Sequence, residues 1–237
     1  MNQKKGKIYL IPTLLGDTQL TDVLPDGIRG ILAGIRHFAV EDLRSARRFL
    51  KKIDKQTDID SLHFQLLNEH SKLEDISLLL QPLLKGNDLG VMSEAGTPCI
   101  ADPGSLLVSM AHEKGIRIVP LTGPSSLILA LMASGFNGQN FVFHGYLPVE
   151  RRSRSAAIRQ LENAAYRNDQ TQIFIETPYR NMQMFDAIIE SCSPETRLCI
   201  AANLTTDDEM IRTRQISGWK KKPPAIHKQP AVFLIYK

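Results

Sequence analysis

The sequence predicts an α/β protein with two consecutive sheets. Short apolar runs alternate with stretches of helical periodicity from residue 8 onward, turn residues mark most of the changes, and 237 residues suit two such sheets better than one. The expected split lies near Leu121–Thr122. Residues 1–121 then form an N-terminal α/β domain with a mostly parallel sheet, and residues 122–237 a C-terminal α/β domain with a mixed sheet.

The elements follow in order. Ile8–Ile11 is a short apolar strand. Leu43, Ala46, Phe49, Leu50 and Ile53 recur at helical spacing, with Arg44, Arg47, Arg48, Lys51 and Lys52 between them. Ser71 and Glu74 stand in capping-box relation before the apolar run Ile76–Leu84, which Gly86 stops. Asp88–Met92 is a strand, followed by a turn-rich loop from Ser93 to Gly104 and a helix to about Lys114. Ile116–Leu121 is a strand, and Thr122-Gly123-Pro124-Ser125 turns it into an apolar helix that ends near Gly135. Beyond it, Phe141–Leu147, Gln172–Thr177, Leu198–Ala202 and Ala231–Tyr236 read as strands, and Ser153–Ala165 and Tyr179–Ser191 as helices.

Composition narrows the class. Apolar residues are 43% and charged residues 23%, which excludes a disordered tail or a coiled-coil rod. Lys and Arg number 29 against 25 Asp and Glu, a net charge of +4 that permits a nucleic-acid partner without announcing one. Cys99, Cys192 and Cys199 have no metal-ligand spacing, so no metal is expected and a reducing cytosol is the default. Lys4, Lys5 and Lys7 before an apolar run resemble a signal peptide, but Pro12 and Thr13 interrupt the run, so a buried first strand is expected. No run approaches the ~20 apolar residues of a spanning helix, and no membrane is expected.

In open α/β sheets ligands bind beyond the carboxyl ends of strands, and there the unusual residues collect. Ser93-Glu94-Ala95-Gly96-Thr97-Pro98-Cys99-Ile100-Ala101-Asp102-Pro103-Gly104 reads either as a ligand loop or as a β-to-α turn with Asp102 capping the next helix. Ser125 reads as a helix N-cap, with a ligand at the free amides as the second reading. Pro12-Thr13-Leu14-Leu15-Gly16-Asp17 hints at a phosphate loop, yet neither G-x-G-x-x-G nor G-x-x-x-x-G-K-[ST] occurs, which disfavours Rossmann and Walker sites. Of Glu41-Asp42-Leu43-Arg44, Glu41 reads as an ordinary acid at a solvated helix start. Asp42 is the candidate base, with Arg44 beside it. Glu94 and Glu69 stand in reserve, and His70 reads as structural. Arg151, Arg152, Arg154 and Arg159, with the cations of 44–52, read either as phosphate contacts or as solvated faces.

In this order the motifs resemble the tetrapyrrole-methylase superfamily of S-adenosylmethionine (SAM) enzymes, and within it the branch that methylates a cytidine ribose 2′-oxygen of small-subunit ribosomal RNA. The stretches that carry the resemblance are Tyr9-Leu10-Ile11-Pro12-Thr13, Glu41-Asp42-Leu43-Arg44, Ser93-Glu94-Ala95-Gly96-Thr97-Pro98, Asp102-Pro103-Gly104, Pro120-Leu121-Thr122-Gly123-Pro124-Ser125, Ala133-Ser134-Gly135-Phe136, Gly145-Tyr146-Leu147-Pro148 and Phe174-Ile175-Glu176-Thr177-Pro178-Tyr179-Arg180. The resemblance implies a cytosolic homodimer of two α/β domains with SAM in the cleft between them. It implies cofactor contacts at Leu15, Thr97, Ile100, Ser125 and Ser126, completed by Thr177, Leu204 and Ala231. The expected partner is ribosomal RNA or the small ribosomal subunit, with Asp42, Arg44 and Glu94 as catalytic candidates.

Three departures stand out. Glu94 replaces the family's aspartate, Leu14-Leu15-Gly16-Asp17-Thr18 replaces Pro-Ile-Gly-Asn-Leu, and Ala202-Asn203-Leu204-Thr205-Thr206 replaces Arg-Glu-Leu-Thr-Lys. The last keeps two alternatives open: methylation of a tetrapyrrole or other small molecule, or a non-catalytic RNA-binding or assembly protein on the same scaffold.

Overall fold

The structure, a computed structural model, describes residues 4–102 and 104–237; Pro103 of the Asp102-Pro103-Gly104 motif lies outside the described residues. The chain forms two compact units, Met1–Pro124 and Ser125–Lys237.

In the first unit, β1 (Lys7–Ile11) leads into α1 (Leu20–Val23) and α2 (Ile28–Ala33). Then come β2 (His37–Val40), α3 (Leu43–Ile53), a 3-10 turn (Ile59–Ser61) and β3 (His63–Leu66). Next are α4 (Leu73–Leu79), α5 (Gln81–Leu84), β4 (Leu89–Met92), α6 (Gly104–Glu113) and β5 (Arg117–Pro120). The strands form one sheet in the order β3-β2-β4-β1-β5, with every pairing parallel. A parallel sheet is buried on both faces, and its strands alternate between two cores. Ile8, Ala39 and Val91 pack with Leu79, Leu83, Leu107 and Ala111. Ile11, Phe38, Val40 and Met92 pack with Leu32, Ala46, Phe49 and Leu50. Helices α4 to α6 therefore cover one face, and α2 and α3 the other.

The helix expected over 76–84 is two helices, because Pro82 has no N–H to continue the first. Its start also differs. Lys72 is the N-cap, and its N–H donates to Asp75 Oδ2 at 3.0 Å, while Ser71 Oγ accepts from the Asn68 N–H at 2.9 Å. The box expected at Ser71 and Glu74 thus lies one residue later.

In the second unit, α7 (Ser126–Ser134) precedes β6 (Phe141–Tyr146), α8 (Arg151–Asn168) and β7 (Thr171–Ile175). A 3-10 turn (Pro178–Arg180) then leads to α9 (Asn181–Ser191), β8 (Arg197–Ala202), β9 (Met210–Gln215), α10 (Ile216–Lys221) and β10 (Ala231–Tyr236). The order is β6-β7-β10-β8-β9. Only β6 and β7 pair in parallel, so this sheet is mixed. Phe174, Ile200 and Phe233 pack with Ile158, Phe185, Ile188 and Trp219. The Trp219 indole N–H donates to Leu198 O at 2.9 Å, which satisfies the polar end of a side chain that is otherwise fully buried.

Strands β2, β3 and β9 carry no clear sequence signal. β3 and β9 are edge strands, β3 mostly exposed and β9 mostly half-buried, and neither carries the apolar alternation that marks a strand in the sequence.

Candidate active site

Because all five strands of the first sheet are parallel, their carboxyl ends meet at one end. The topology therefore collects the loops after Ile11, Val40, Leu66, Met92 and Pro120 there. Bonds between these loops fix their relation. The Thr13 N–H donates to Gly96 O at 2.9 Å. Gly96 has φ +76, and a Cβ there would lie 2.9 Å from Leu15 Cδ2, so Leu15 packs directly on this glycine. Gly123 lies against Pro12, whose Cγ would be 2.3 Å from an added Cβ. Thr97 is half-buried and Ile100 is exposed on the same loop as Gly96.

That loop is strained. Cys99 and Ala101 have φ +68 and +63, conformations that cost non-glycine residues of order 1–3 kcal/mol each. Asp102 holds them in place: its Oδ2 accepts from the Cys99 N–H and its Oδ1 from the Gly104 N–H, both at 2.8 Å. The bland reading of Asp102 as an organiser of the next helix start holds, and the ligand reading of the loop stands beside it. Burial, with the Asp102 charge second, pushes the Cys99 thiol up to about 12, so it is no nucleophile at neutral pH.

The adjacent carboxylates Glu41 and Asp42 meet different surroundings. Asp42 is the N-cap of α3, its Oδ1 accepting from the Ser45 N–H at 2.7 Å. The Ser45 amide, then its hydroxyl, with Arg44 behind them, hold this carboxyl below the usual range. A carboxylate so engaged is a poorer base. Glu41 is half-buried, and its Oε2 accepts from the Glu94 N–H at 2.9 Å. Burial raises its pKa, that hydrogen bond opposes the rise, and the charges of Asp102, Glu94 and Glu69 add to it. The Glu94 side chain is itself exposed. Arg44 is exposed at the start of α3, and Glu69 pairs at 3.6 Å with an exposed His70.

One consequence separates the two acids. Asp42→Ala should lower stability by about 1 kcal/mol through loss of the cap. Asn also caps well, so Asp42→Asn should keep both stability and turnover near wild type. Thermal melts and initial rates check this, and a large rate loss in Asp42→Asn would return the base to Asp42.

In the second unit, Val232 lies opposite Ile175 and Ala231 opposite Ala202, which brings Thr177, Leu204 and Ala231 to one end of that sheet. The Thr177 N–H donates to Glu176 Oε1, which also accepts from Arg180 Nη2 at 2.7 Å, while the buried Glu176 Oε2 has no partner among the described residues. Leu204 is buried between Asn203 (φ +51) and Thr205 (φ +69). The Asn203 N–H donates to Pro230 O, the Thr205 N–H donates to Glu209 Oε2, and Thr205 Oγ1 is buried with no hydrogen-bond partner among the described residues. Glu209 had no recognisable signal in the sequence. Ser125 is the extended N-cap of α7 but its hydroxyl makes no capping bond, contrary to the capping reading; Ser126 is the first helical residue. Among the described residues no cluster of side chains suits a metal ion, and no helix is long and apolar enough to cross a membrane.

The first unit is thus a parallel sheet covered by helices on both faces with two of its strand-end loops tied together, and the second is a mixed α/β unit. The family model described as Tetrapyrrole (Corrin/Porphyrin) Methylases matches residues 8–217, and the chain belongs to this family. It is 31% identical over 205 residues to ribosomal RNA small subunit methyltransferase I of Vibrio cholerae serotype O1, covering 86% of this chain and 67% of the relative. The corresponding protein of Pseudomonas aeruginosa is 32% identical over 211 residues, covering 88% and 70%. In fold, the chain is similar to uroporphyrin-III C-methyl transferase of Thermus thermophilus in a structure complexed with S-adenyl homocysteine. There the TM-score is 0.59 with 15% identity, over 98% of each chain. The chain is a methyltransferase.

Proposed function

We propose that this methyltransferase transfers the methyl group of S-adenosylmethionine to a cytidine ribose 2′-hydroxyl in small-subunit ribosomal RNA. The observation that carries the proposal is the Glu41–Glu94 hydrogen bond, which sets a half-buried carboxylate of raised pKa against the tied loop of Gly96 and Thr97. The names of the relatives support the acceptor class.

The residues present suit the donor. The close Gly96–Leu15 approach, the Ser125 hydroxyl that makes no capping bond and the buried Thr205 Oγ1, unpartnered among the described residues, leave backbone and polar groups for a ligand. Leu15, Thr97 and Ile100 in the first unit, and Ser125, Ser126, Thr177, Leu204 and Ala231 in the second, are the residues proposed to hold it. When bound, S-adenosylmethionine supplies an electrophilic methyl group on a sulfonium. Glu41 accepts the proton of the acceptor hydroxyl as its oxygen bonds to the methyl carbon and the sulfur–methyl bond breaks. Asp42 holds the start of α3, and Arg44 beside it orients the acceptor's phosphate. Alignment of the two reactants supplies much of the remaining acceleration. A cytosolic homodimer completes the proposal.

Calorimetric titration and methyl transfer test it. Donor and demethylated product should each bind at one site per chain, and labelled methyl should pass to small-subunit RNA. Transfer to a porphyrinoid with none to RNA would overturn the acceptor. Failure to bind either ligand would overturn the proposed reaction.

A further inference from the structure

Helix α3 has one apolar face, with Ala46, Phe49 and Leu50 buried, and one cationic face, with Arg44, Arg47, Arg48, Lys51 and Lys52 exposed. Leu43–Ile53 contains no acidic residue. Its charge of +5 exceeds the +4 of the whole chain, so the remainder is net −1. An ordinary solvated helix face mixes signs at i,i+3 and i,i+4 spacing, because like charges there oppose the helix. Here 44–47, 44–48, 47–51, 48–51 and 48–52 are all like-charged.

Little within the unit relieves this. Lys52 Nζ reaches Asp17 Oδ1 at 3.1 Å and Thr18 O at 2.9 Å. Arg47 lies 5.4 Å over the Phe64 ring, and Lys51 Nζ donates to the Lys55 carbonyl. Arg48 has no side-chain partner among the described residues. Arg44 only faces Asp42, whose carboxylate is already taken by the Ser45 amide. The stripe begins beside Glu41 and, at 1.5 Å per residue, runs about 10 Å from Arg44 to Lys51.

We infer that this face of α3 binds the phosphodiester backbone of the RNA strand that carries the acceptor nucleotide. The inference rests on the proposed RNA substrate and assigns the surface that holds it. A protein partner fits less well, because protein interfaces anchor on apolar or aromatic side chains and this stripe contains none. The guanidinium forks of Arg44, Arg47 and Arg48 match phosphate oxygens, and a polyanion removes the self-repulsion the helix otherwise carries.

The test uses the full chain with Arg47, Arg48 and Lys51 changed together to Gln, leaving Arg44 in place. Affinity for naked small-subunit ribosomal RNA is measured between about 50 and 200 mM salt. Each lost phosphate contact on a single strand removes about 0.7 from the slope of log affinity against log salt, so the slope should fall by about two. The RNA KM should rise, while kcat at saturating RNA, donor affinity and melting temperature should hold or, for melting temperature, increase. Arg48→Gln alone, at an exposed residue with no side-chain partner among the described residues, should lower the slope by about 0.7 and guards against misfolding of the triple variant. An unchanged slope and KM in a wild-type background that methylates RNA would overturn the inference alone. Unchanged affinity for naked RNA with weakened binding to the assembled subunit would overturn it in favour of a protein contact. A wild-type chain that neither binds nor methylates RNA would overturn the substrate reading, and this inference with it.

Discussion

Glu41→Gln lowers turnover by about 10²- to 10⁴-fold, the range over which a positioned proton acceptor contributes, and leaves donor affinity close to wild type. Gln keeps an oxygen that can accept the Glu94 N–H, so the bond between the two strand-end loops survives while the basicity is lost. The pH profile provides the second readout. Burial, with Asp102, Glu94 and Glu69 adding, raises the pKa of Glu41, so the acid limb of the wild-type rate should lie above the ordinary carboxylate range. Activity then falls as pH drops through that raised value, and Glu41→Gln should lose this limb along with the rate.

Stability moves the opposite way. A carboxyl whose pKa is raised on folding binds its proton more tightly in the folded chain. Its contribution is present at low pH and is lost as pH rises through the window between the unfolded and folded values. Glu41→Gln should therefore be at least as stable as wild type at neutral pH. A variant that melts early and also turns over slowly would indicate a structural role, and a variant with an unchanged rate would remove Glu41 from the reaction.

Gly123→Val should lower activity sharply through packing. A Cβ at this position would lie 2.3 Å from Pro12 Cγ and 3.1 Å from Leu24 Cδ2, distances at which Pro12 must move. Pro12 precedes Thr13, whose N–H is bonded to Gly96 O, and Leu15, which packs on Gly96. Movement of Pro12 thus disturbs the loops after β1 and β4 together. The expected cost is about 1–3 kcal/mol of overpacking and roughly a 10²-fold loss of kcat/KM from misplaced reactants. Gly27→Ala is the control, because nothing lies within 4 Å of a Cβ there. Donor titration and thermal melts check both variants. Retained donor affinity in Gly123→Val would show that the Pro12–Gly123 approach is dispensable for binding.

The sequence by itself determined the class, the alternation of elements and most of the strands that pack centrally. Ile8–Ile11, Asp88–Met92, Leu198–Ala202 and Ala231–Tyr236 were legible because strands buried on both faces are written as apolar runs. The ligand loops were legible because turns there demand Gly and Pro, as at Gly96 and Gly123. The edge strands β3 and β9 were not, since they pair on one side alone and only single apolar residues, such as Phe64 and Met210, reach a core from them. Nor did the sequence separate Glu41 from Asp42. The difference depends on where β2 ends and α3 begins, and β2 carries no clear signal in the sequence. Once Val40 closes the strand, Asp42 falls at the N-cap and is taken up by the Ser45 amide, while Glu41 turns toward the loop after β4. The sequence likewise placed the five cations of 44–52 opposite an apolar stripe with no acid among them, and the structure added which of them find partners, such as Lys52 at Asp17. For the two carboxylates a one-residue shift decides what each side chain meets, and the contact between distant segments, Glu41 to the Glu94 amide, is what local pattern does not carry.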